Sequence, residues 1–552
     1  MPFSLLDNPW IPVRRASGKH ELIRPDQITE GIESDPVVDV AAPRPDVSAA
    51  LREMLVGLFT TTRAPETEAD WEETYRHPPS PEMVREALAP LAPVMQLDGE
   101  GPRFFQDQEA LAGEALGVEA LFIDAPGEET IKNNKDLFVK RGKITVLSRP
   151  AAAWALVTLQ TYAPSGGAGH MTSLRGGGPL TTMLLPPATP TTDTLWHRVW
   201  LSVESAAQLE ARRVGQPDGG IETIFPWAGP TRVSGKGGGR TTQAQVDPLH
   251  VYWGMPRRLR LLFRPAVPGE VCDLTGLADP VMVEGFIMRP YGFQYGEGGF
   301  QHPLSPYYRL KPGAPWLPVH GGPSGVGYRD WLALVTGDTA LAERSLRRPA
   351  QAVSTARDRL RRLGVRTGAR LSAAGFDMDN MKARGWVDAQ MPLLVGETEE
   401  AQQNQDTQAR LLVAGAGVVA GAVGYAVKMA LFDAPKDARG DFSALQDRLW
   451  ADTEPAFLQA LEVINRPSPS PEVARQAFLR VLERAALAIF DANAPVEGVE
   501  HGAFRRVVQA RGWLTGHFVP ATKTGKTLYA ALGLALPQAA TSKGKSKRKP
   551  AA

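Results

Sequence analysis

The chain has 552 residues, of which 43% are hydrophobic and 22% charged, with a formal net charge of +1 and one cysteine, Cys272. A chain of this length forms roughly two to four domains, and its composition excludes a disordered or fibrous protein. The near-zero charge limits nucleic-acid binding to local patches, and the lone cysteine excludes an internal disulfide and a multi-cysteine metal centre.

The N-terminal segment does not have the pattern of a signal peptide. Residues 1–13 lack a basic start, and Asp7, Pro9 and Pro12 interrupt their apolar residues;. Together with the lone cysteine, this predicts a cytoplasmic protein.

Helical and strand patterns alternate irregularly up to about residue 390. Apolar residues at helical spacing predict helices over Asp46–Thr62 and Ala151–Thr161;. Short apolar runs predict strands at Ile144–Val146, Leu259–Phe263 and Val281–Ile287, separated by proline- and glycine-rich connections;.

A basic loop with an apolar centre precedes the first of these strands. Residues 131–143 read I-K-N-N-K-D-L-F-V-K-R-G-K and place Phe138 and Val139 among five cations and one acid. Cations bind phosphates, and an aromatic side chain stacks on a base or enters a docking pocket. The pattern fits both a nucleic-acid loop and a solvated loop with one anchoring aromatic residue.

The most unusual segment is Ala163 to Thr182, in which six glycines form two clusters beside a lone Arg175. Glycine permits close backbone approach and positive φ at an entropic cost, so such a run indicates a geometric purpose. Neither G-x-x-x-x-G-K-[ST] nor G-x-G-x-x-G occurs in it;. The residues alone leave two interpretations: a flexible surface loop, and an anion nest at 166–178 in an enzyme with a phosphate-bearing substrate.

Two later segments indicate binding surfaces. Nine arginines lie between Arg344 and Arg370 with the single acid Asp358, and we expect some to be structural and the others to form a strip that faces phosphates. The long irregular connection 213–245 is of a kind that often belongs to binding or assembly surfaces.

The segment Gly375 to Trp386 reads G-F-D-M-D-N-M-K-A-R-G-W and combines turn formers with methionines. It predicts a β-hairpin whose methionines pack inward. In a second interpretation, Asn380 and Met381 form the tip and push between base pairs as an apolar wedge.

After about residue 395 the strand patterns disappear. Helical spacing predicts helices over 411–427, 443–464, 470–489 and about 498–535, with a kink at Pro455;. The segment 411–427 has only 17 residues and four glycines, which favours a buried bundle helix over a membrane span.

The predicted fold class is therefore α+β. A large irregular mixed N-terminal domain over residues 1–390 is followed by a C-terminal four-helix bundle over 391–537. The basic segment 538–552 is predicted to be a disordered tail.

The sequence contains no pattern typical of catalysis. Its nine histidines form neither H-x-x-x-H nor H-E-x-x-H, and G-x-S-x-G is absent;. His302, in a proline-rich turn, is predicted to be structural. We predict no catalytic residue, no metal site and no cofactor.

Four segments, in this order, resemble the large-subunit (CasA) family of type I-E CRISPR Cascade surveillance complexes. They are S-L-L-D-N-P-W-I-P-V at 4–13, the glycine stretch through S-L-R-G-G-G-P-L-T-T at 173–182, G-F-I-M-R-P-Y-G-F-Q-Y at 285–295 with H-P-L-S-P at 302–306, and the hairpin at 375–386. The resemblance extends over almost the whole chain except the basic tail.

The resemblance implies a non-catalytic subunit that recognises a protospacer-adjacent motif in double-stranded DNA and starts strand separation for guide-RNA pairing. Recognition is from the minor groove, whose code is degenerate, while the RNA reads the sequence. The implied partners are target duplex DNA, the 5′ handle of the guide RNA, other Cascade subunits including the small subunit, and a helicase-nuclease that the subunit helps to recruit. No membrane is implied.

The resemblance also assigns residues. The glycine loop, which lays backbone along the motif, comprises Ser165, Gly166, Gly167, Ala168 and Gly169. Because the second cluster lies beyond this loop, we expect Gly176 to Gly178 to serve the fold instead.

Three further assignments follow by position. Arg289 corresponds to a basic finger that contacts the motif, and Asn380 with Met381 corresponds to the wedge that splits the first base pairs. A loop that docks near the guide-RNA 5′ handle corresponds to Phe138, Val139, Lys140 and Arg141. The phosphate-substrate enzyme and a protein that serves only as an assembly scaffold remain the alternatives.

Overall fold

The computed structural model describes residues 2–137, 139, 141–189, 191–235, 239–296, 298–339, 344–464, 470–495 and 501–536. Two predicted docking residues, Phe138 and Lys140, and the predicted tail 538–552 lie outside the described residues. The chain divides into two compact units, one of residues 1–326 and 330–403 and one of residues 327–329 and those from 404 onward.

The strands of the first unit form small antiparallel sheets. In chain order the strands are β1 (Ile11–Arg15), β2 (His20–Ile23), β3 (Val37–Val40), β4 (Leu116–Gly117), β5 (Leu147–Ser148), β6 (Thr181–Leu185), β7 (Arg258–Pro265), β8 (Val281–Arg289), β9 (Tyr307–Tyr308), β10 (Leu317–Pro318), β11 (Arg347–Arg348), β12 (Arg370–Asp379) and β13 (Lys382–Pro392). The sheet orders are β2-β1-β3, β4-β8-β5 with β7 also on β8, β10-β9-β11 and β13-β12-β6.

The helices are α1 (Pro45–Arg63), α2 (Glu68–Arg76), α3 (Pro81–Leu88), α4 (Glu128–Lys132), α5 (Arg149–Tyr162), α6 (Leu195–Trp200), α7 (Ala206–Arg212), α8 (Gln351–Arg362), α9 (Glu399–Leu431), α10 (Ser443–Ile464), α11 (Pro471–Asn493), α12 (His501–Gly516) and α13 (Lys523–Ala531). The α+β class with a helical C-terminal region is confirmed. The fourth predicted helix is divided into α12 and the short α13, and α10 continues through Pro455.

Most elements predicted in the first unit are present, namely α1, α5, β7, β8 and the β12–β13 hairpin. The strand predicted at Ile144–Val146 is wrong. There the Asp273 carboxylate accepts hydrogen bonds from the backbone N–H groups of Thr145, at 2.7 Å, and Val146, at 3.0 Å. A side chain thus replaces the neighbouring strand, and pairing with β8 begins only at Leu147.

The core of the first unit is built from packed helices and buried indoles. Helices α1 and α5 pack against each other and present nearly continuous buried faces. Trp71 and Trp200 donate indole N–H groups to each other's backbone carbonyls, at 2.9 and 3.0 Å. Because each buried donor has an acceptor, these large side chains add apolar burial without an unpaired polar group.

A buried polar cluster joins α1 to the glycine stretch. Arg175 and Glu53, each 4% exposed, form an ion pair. Thr181 donates to the second Glu53 oxygen at 2.7 Å, and the Arg175 guanidinium also donates to Ser305 at 2.8 Å. The cluster therefore fixes α1, the start of β6 and the turn near residue 305 to one another.

The long helix α9 carries the segment for which sequence left a choice between bundle and membrane. Among the described residues, this is the one helix that is long and apolar enough to cross a membrane. Of its most apolar 18 residues, 61% are buried inside the protein. Gly415 packs against Leu532, and Gly533 packs against Leu411. This close packing agrees with the bundle interpretation.

Two glycines of α9 provide a matched test of that packing. A Cβ at Gly415 would lie 2.3 Å from Leu532 Cδ2, whereas a Cβ at Gly417 would meet nothing within 4 Å. Gly415→Ala should lower the free energy of unfolding by about 1–3 kcal/mol through overpacking. Gly417→Ala should leave it unchanged or raise it by up to about 1 kcal/mol through helix propensity. Chemical denaturation measures both, and equal effects would contradict the packing.

The Glu53–Arg175 pair provides a second test. Glu53→Gln leaves a buried guanidinium without its counter-charge, and we expect the free energy of unfolding to fall by about 3–5 kcal/mol. The double variant Glu53→Met with Arg175→Met removes both charges and should cost less than the single change. Urea denaturation measures both variants. If the double variant is less stable than Glu53→Gln, the buried ion pair stabilises the fold by more than the cost of burying its two charges.

Candidate functional site

The predicted glycine loop connects α5 to the second glycine cluster. Ser165 and Gly167 are exposed, and Gly166 donates its N–H to the His170 carbonyl at 3.0 Å. A single 3₁₀ turn spans Gly167–Gly169. The loop thus presents a compact turn of backbone to solvent.

The glycines of this loop meet different requirements. A Cβ at Gly166 would lie 2.7 Å from His170 Cβ, and one at Gly169, where φ is +86°, would lie 2.6 Å from Tyr291 Cε1. At Gly167 a Cβ would meet nothing within 4 Å. The fold therefore requires glycine at 166 and 169, while Gly167 leaves backbone open to an external partner.

The second glycine cluster is built into the fold, as expected from the sequence. Gly176 and Gly178 have φ of +81° and +62°, and a Cβ at Gly178 would lie 2.7 Å from Phe376 Cβ. A Cβ at Gly177 would lie 2.8 Å from Pro164 Cα. These contacts bring the start of the glycine loop close to the hairpin strand β12.

Arg175 does not serve as a ligand for an external anion. Its guanidinium points into the core, where Glu53, Thr181 and Ser305 take its hydrogen bonds. The one arginine within the glycine stretch itself is therefore unavailable to a bound phosphate. This observation counts against the anion-nest enzyme.

The predicted finger residue, Arg289, is exposed at the end of β8, opposite Arg258 of β7. Arg258 is held by Asp107 and Glu109, whereas Arg289 has no ion pair among the described residues. Two residues later, Tyr291 adopts a positive φ of 65° and donates its N–H to the Gly169 carbonyl at 2.9 Å. The finger and the glycine loop are thus joined through backbone.

The predicted wedge forms the tip of the β12–β13 hairpin. Asp379 pairs with Lys382, so Asn380 and Met381 are the two turn residues. Asn380 has φ of +54°, and 53% of Met381 is exposed. The methionine of the tip, Met381, therefore points an apolar side chain outward, while Met378, one pair below the tip, contacts Gly178.

The predicted docking loop lies apart from these segments. Val139 is exposed, and Arg141 is held by Asp136, by Asn134 at 3.1 Å and by the Ile131 carbonyl at 2.9 Å. The loop leads into β5, which pairs with residues 282 and 283 near the start of β8. The Gly142 N–H of this loop donates to Glu119 at 3.0 Å, and no hydrogen bond or ion pair of the described residues joins the loop to the glycine loop, the finger or the wedge.

One residue of the site was not found from the sequence. Arg257, 6% exposed, donates to the Pro164 carbonyl at 2.6 Å, and its Nη1 has no hydrogen-bond partner. Burial lowers the pKa of this guanidinium to about 10. Burial and the Arg257 charge also lower the pKa of His170. An unpaired cation therefore lies directly beneath the glycine loop, and no local sequence signal marks it.

The predicted arginine strip between residues 344 and 370 is mostly structural. Arg357 donates to the Leu394 carbonyl at 3.0 Å, and Arg359 donates to the Val203 carbonyl at 2.7 Å; both arginines are buried. Arg348 stacks on Trp316 instead, 4.4 Å from the ring centroid. Buried carbonyls and an indole face take these three cations, as expected for part of the segment. Arg344, Arg347 and Arg362 are exposed without an ion pair among the described residues, so a phosphate-facing strip stays a prediction for those three.

His302 is structural, as predicted. It is buried, and its Nδ1 accepts a hydrogen bond from the Leu304 N–H at 3.2 Å. Burial, followed by the charges of Arg175 and Arg212, holds the pKa of His302 well below its usual value. Among the residues that the structure describes, no three His, Cys, Asp or Glu side chains are grouped so that they could hold a metal ion.

Several solved structures share this fold. Cse1 from Acidimicrobium ferrooxidans is 16% identical with a TM-score of 0.65, over 97% of this chain and 99% of that one. Thermobifida fusca Cse1 is 17% identical with a TM-score of 0.68, over 96% and 98%. A chain of a CRISPR RNA-guided surveillance complex is 19% identical with a TM-score of 0.62, over 93% and 99%.

At these identities the structures establish a common fold. No protein with a curated description matches the chain significantly. A sequence model of the family described as CRISPR-associated protein Cse1, however, matches residues 4–489. The match includes the glycine loop, Arg289 and the wedge hairpin, and the chain therefore belongs to the CRISPR-associated Cse1 (CasA) family.

Proposed function

We propose that this chain is the non-catalytic large subunit of a type I-E Cascade complex. It recognises a protospacer-adjacent motif in duplex DNA from the minor groove, starts unwinding for guide-RNA pairing and supports recruitment of a helicase-nuclease. Membership of the Cse1 family and the likeness to a chain of an RNA-guided surveillance complex support this role. The complex would act in the cytoplasm, with guide RNA, target DNA and the other Cascade subunits as partners.

One observation carries the DNA-recognition part of the proposal. Three segments far apart in sequence meet at the glycine stretch: Tyr291 ties the finger strand to Gly169, and Gly178 packs on Phe376 of the wedge hairpin. A free backbone turn, an unpaired cation and an exposed apolar tip are therefore held in one part of the first unit. These are the elements that motif reading and base-pair opening require.

The exposed backbone at Gly167 suits a minor groove. That groove is only about 6 Å wide, so side chains limit how closely a protein can approach its floor. Arg289 adds a planar donor group that can reach base-edge acceptors or a phosphate. Because A·T and T·A pairs present the same minor-groove acceptors, such a site accepts several related motifs.

The docking loop supports contact with the guide RNA in a different way. Leu137 and Val139 are exposed apolar residues, 83% and 41% respectively. Because Arg141 is engaged within the loop, we assign it the role of holding the loop's shape. The apolar residues would then make the docking contact near the 5′ handle, together with a neighbouring subunit.

Gly167→Ala tests the glycine loop without disturbing the fold. The added methyl group meets open space in the free protein, so the free energy of unfolding should stay within about 0.5 kcal/mol of the parent value. In a reconstituted complex the methyl group would push against the groove, and affinity for motif-bearing duplex should fall at least about tenfold. The same complex without this chain supplies the baseline for motif-independent binding.

Gly117→Ala is the matched control, since its Cβ also meets nothing within 4 Å and it lies in β4, outside the glycine loop, where it pairs with Gly285. Its duplex affinity should equal that of the parent. If Gly167→Ala behaves like this control, backbone at 167 does not approach DNA.

Asn380→Ala with Met381→Ala tests the wedge. Removing the tip should slow or abolish the opening of intact motif-bearing duplex, because unstacking costs a few kcal/mol per step that the tip no longer supplies. A duplex with unpaired bases beside the motif needs no wedge, so its binding should be close to that of the parent complex. Equal losses on the intact and unpaired duplexes would contradict a wedge and indicate a contact role.

A further inference from the structure

The long connection 213–245 contains a second glycine-rich basic segment, which reads T-R-V-S-G-K-G-G-G-R-T from 231 to 241. Its described residues, 231–235 and 239–241, flank the finger segment. Ser234 donates its N–H to the Tyr291 carbonyl at 3.1 Å, and Thr241 donates its N–H to the Gln294 carbonyl at 2.8 Å. Because Tyr291 also donates to Gly169, one residue joins this segment to the glycine loop.

Two arginines of this segment face solvent without an ion-pair partner. Arg232 and Arg240 are exposed, and neither forms an ion pair within the described part of the chain. Arg232 donates one hydrogen bond, to the Gln245 carbonyl at 3.2 Å. The stem of Arg240 lies along Gly296, where a Cβ would come within 3.1 Å of Arg240 Cδ. Contacts within the protein thus position both side chains, while most of their guanidinium N–H groups have no hydrogen-bond acceptor in the described part of the chain.

One carboxylate, Glu222, lies near enough for the Arg232 charge to act on it, but the two side chains form no ion pair. Glu222 accepts a hydrogen bond from the Gly220 N–H at 3.0 Å, and its pKa is lowered by that bond and, to a smaller extent, by the Arg232 charge. Other arginines of the first unit form close ion pairs, as Arg149 does with Asp279 and Arg264 does with Glu270.

Cations without ion-pair partners lie on the segments that Tyr291 connects. Arg232 and Arg240 belong to the segment that is hydrogen-bonded to residues 291 and 294, Arg289 lies two residues before Tyr291 in the chain, and the buried Arg257 donates to Pro164 at the start of the glycine loop. Cations on connected segments repel one another unless anions or water screen them. The exposed Arg232, Arg240 and Arg289, none of them ion-paired in the described part of the chain, therefore indicate an anionic partner.

We propose that Arg232 and Arg240 bind backbone phosphates of the duplex that the glycine loop reads, and that they hold the duplex against the loop. The proposal rests on the proposed function and names a contact that the family resemblance does not supply. Phosphate contacts position a duplex and carry no sequence information directly. These arginines therefore contribute affinity to motif-bearing and motif-free duplexes alike, and Arg289 and Gly167 supply the discrimination.

Salt dependence distinguishes this role from a structural one. Each phosphate contact contributes about −0.9 to the slope of log K against log salt concentration. Arg232→Ala with Arg240→Ala should therefore make the slope about 1.8 less steep in the reconstituted complex. Affinity should fall by the same factor for duplexes with and without the motif. Arg232→Lys with Arg240→Lys keeps both charges and should restore the slope.

Arg14→Ala is the matched control, because this arginine of β1 is also exposed and has no ion pair among the residues described. Its slope should equal that of the parent. An unchanged slope in the double alanine variant, or a loss confined to motif-bearing duplex, would overturn the proposal. If the double alanine variant instead lost affinity for the guide RNA, the segment would contact RNA and the proposal would be wrong.

The experiment separates the failure of this proposal from failure of the proposed function. If the parent complex binds motif-bearing and motif-free duplexes equally, motif recognition itself is absent. If the parent complex discriminates and the double variant keeps the parent slope, only the phosphate assignment fails.

Discussion

The arrangement of the first unit depends on how a buried charge is compensated. Arg175 lies between the two glycine clusters, and its guanidinium must reach Glu53 on α1 because an uncompensated cation is costly in the core;. That requirement draws the middle of the glycine stretch inward. The first cluster is left as a surface turn, and the second is pressed against Pro164 and β12. The ion pair therefore contributes to the positions of both the exposed turn and the wedge hairpin.

The site combines rigid support with small exposed elements. Tyr162 and Trp386 pack edge-on against Phe376 within the hairpin, so the wedge tip extends from an aromatic cluster. Gly166 and Gly169 are fixed by His170 and Tyr291. The parts proposed to touch DNA are thus few, and each is held by packing that does not itself need DNA.

The sequence predicted those features whose cause is local. Periodicity identified α1, α5, α10 and α11, and turn formers identified the hairpin that ends at Asn380 and Met381. Features that depend on distant partners were missed. Arg357 and Arg359 look like surface cations until the carbonyls that receive them are known. Likewise, neither the unpaired Arg257 nor the Asp273 carboxylate that replaces a strand has a signature in the neighbouring residues.

Tyr291 uses both of its backbone groups to connect segments that differ widely in sequence position. The spacing between the finger, the glycine loop and the 231–241 segment is consequently set by main-chain atoms, and the side chain at 289 takes no part in it. The side chain at 289 can therefore change without changing the backbone geometry that positions it. Under the proposed function, the residue at 289 could therefore be exchanged to change motif preference while the distances among the three segments stay fixed.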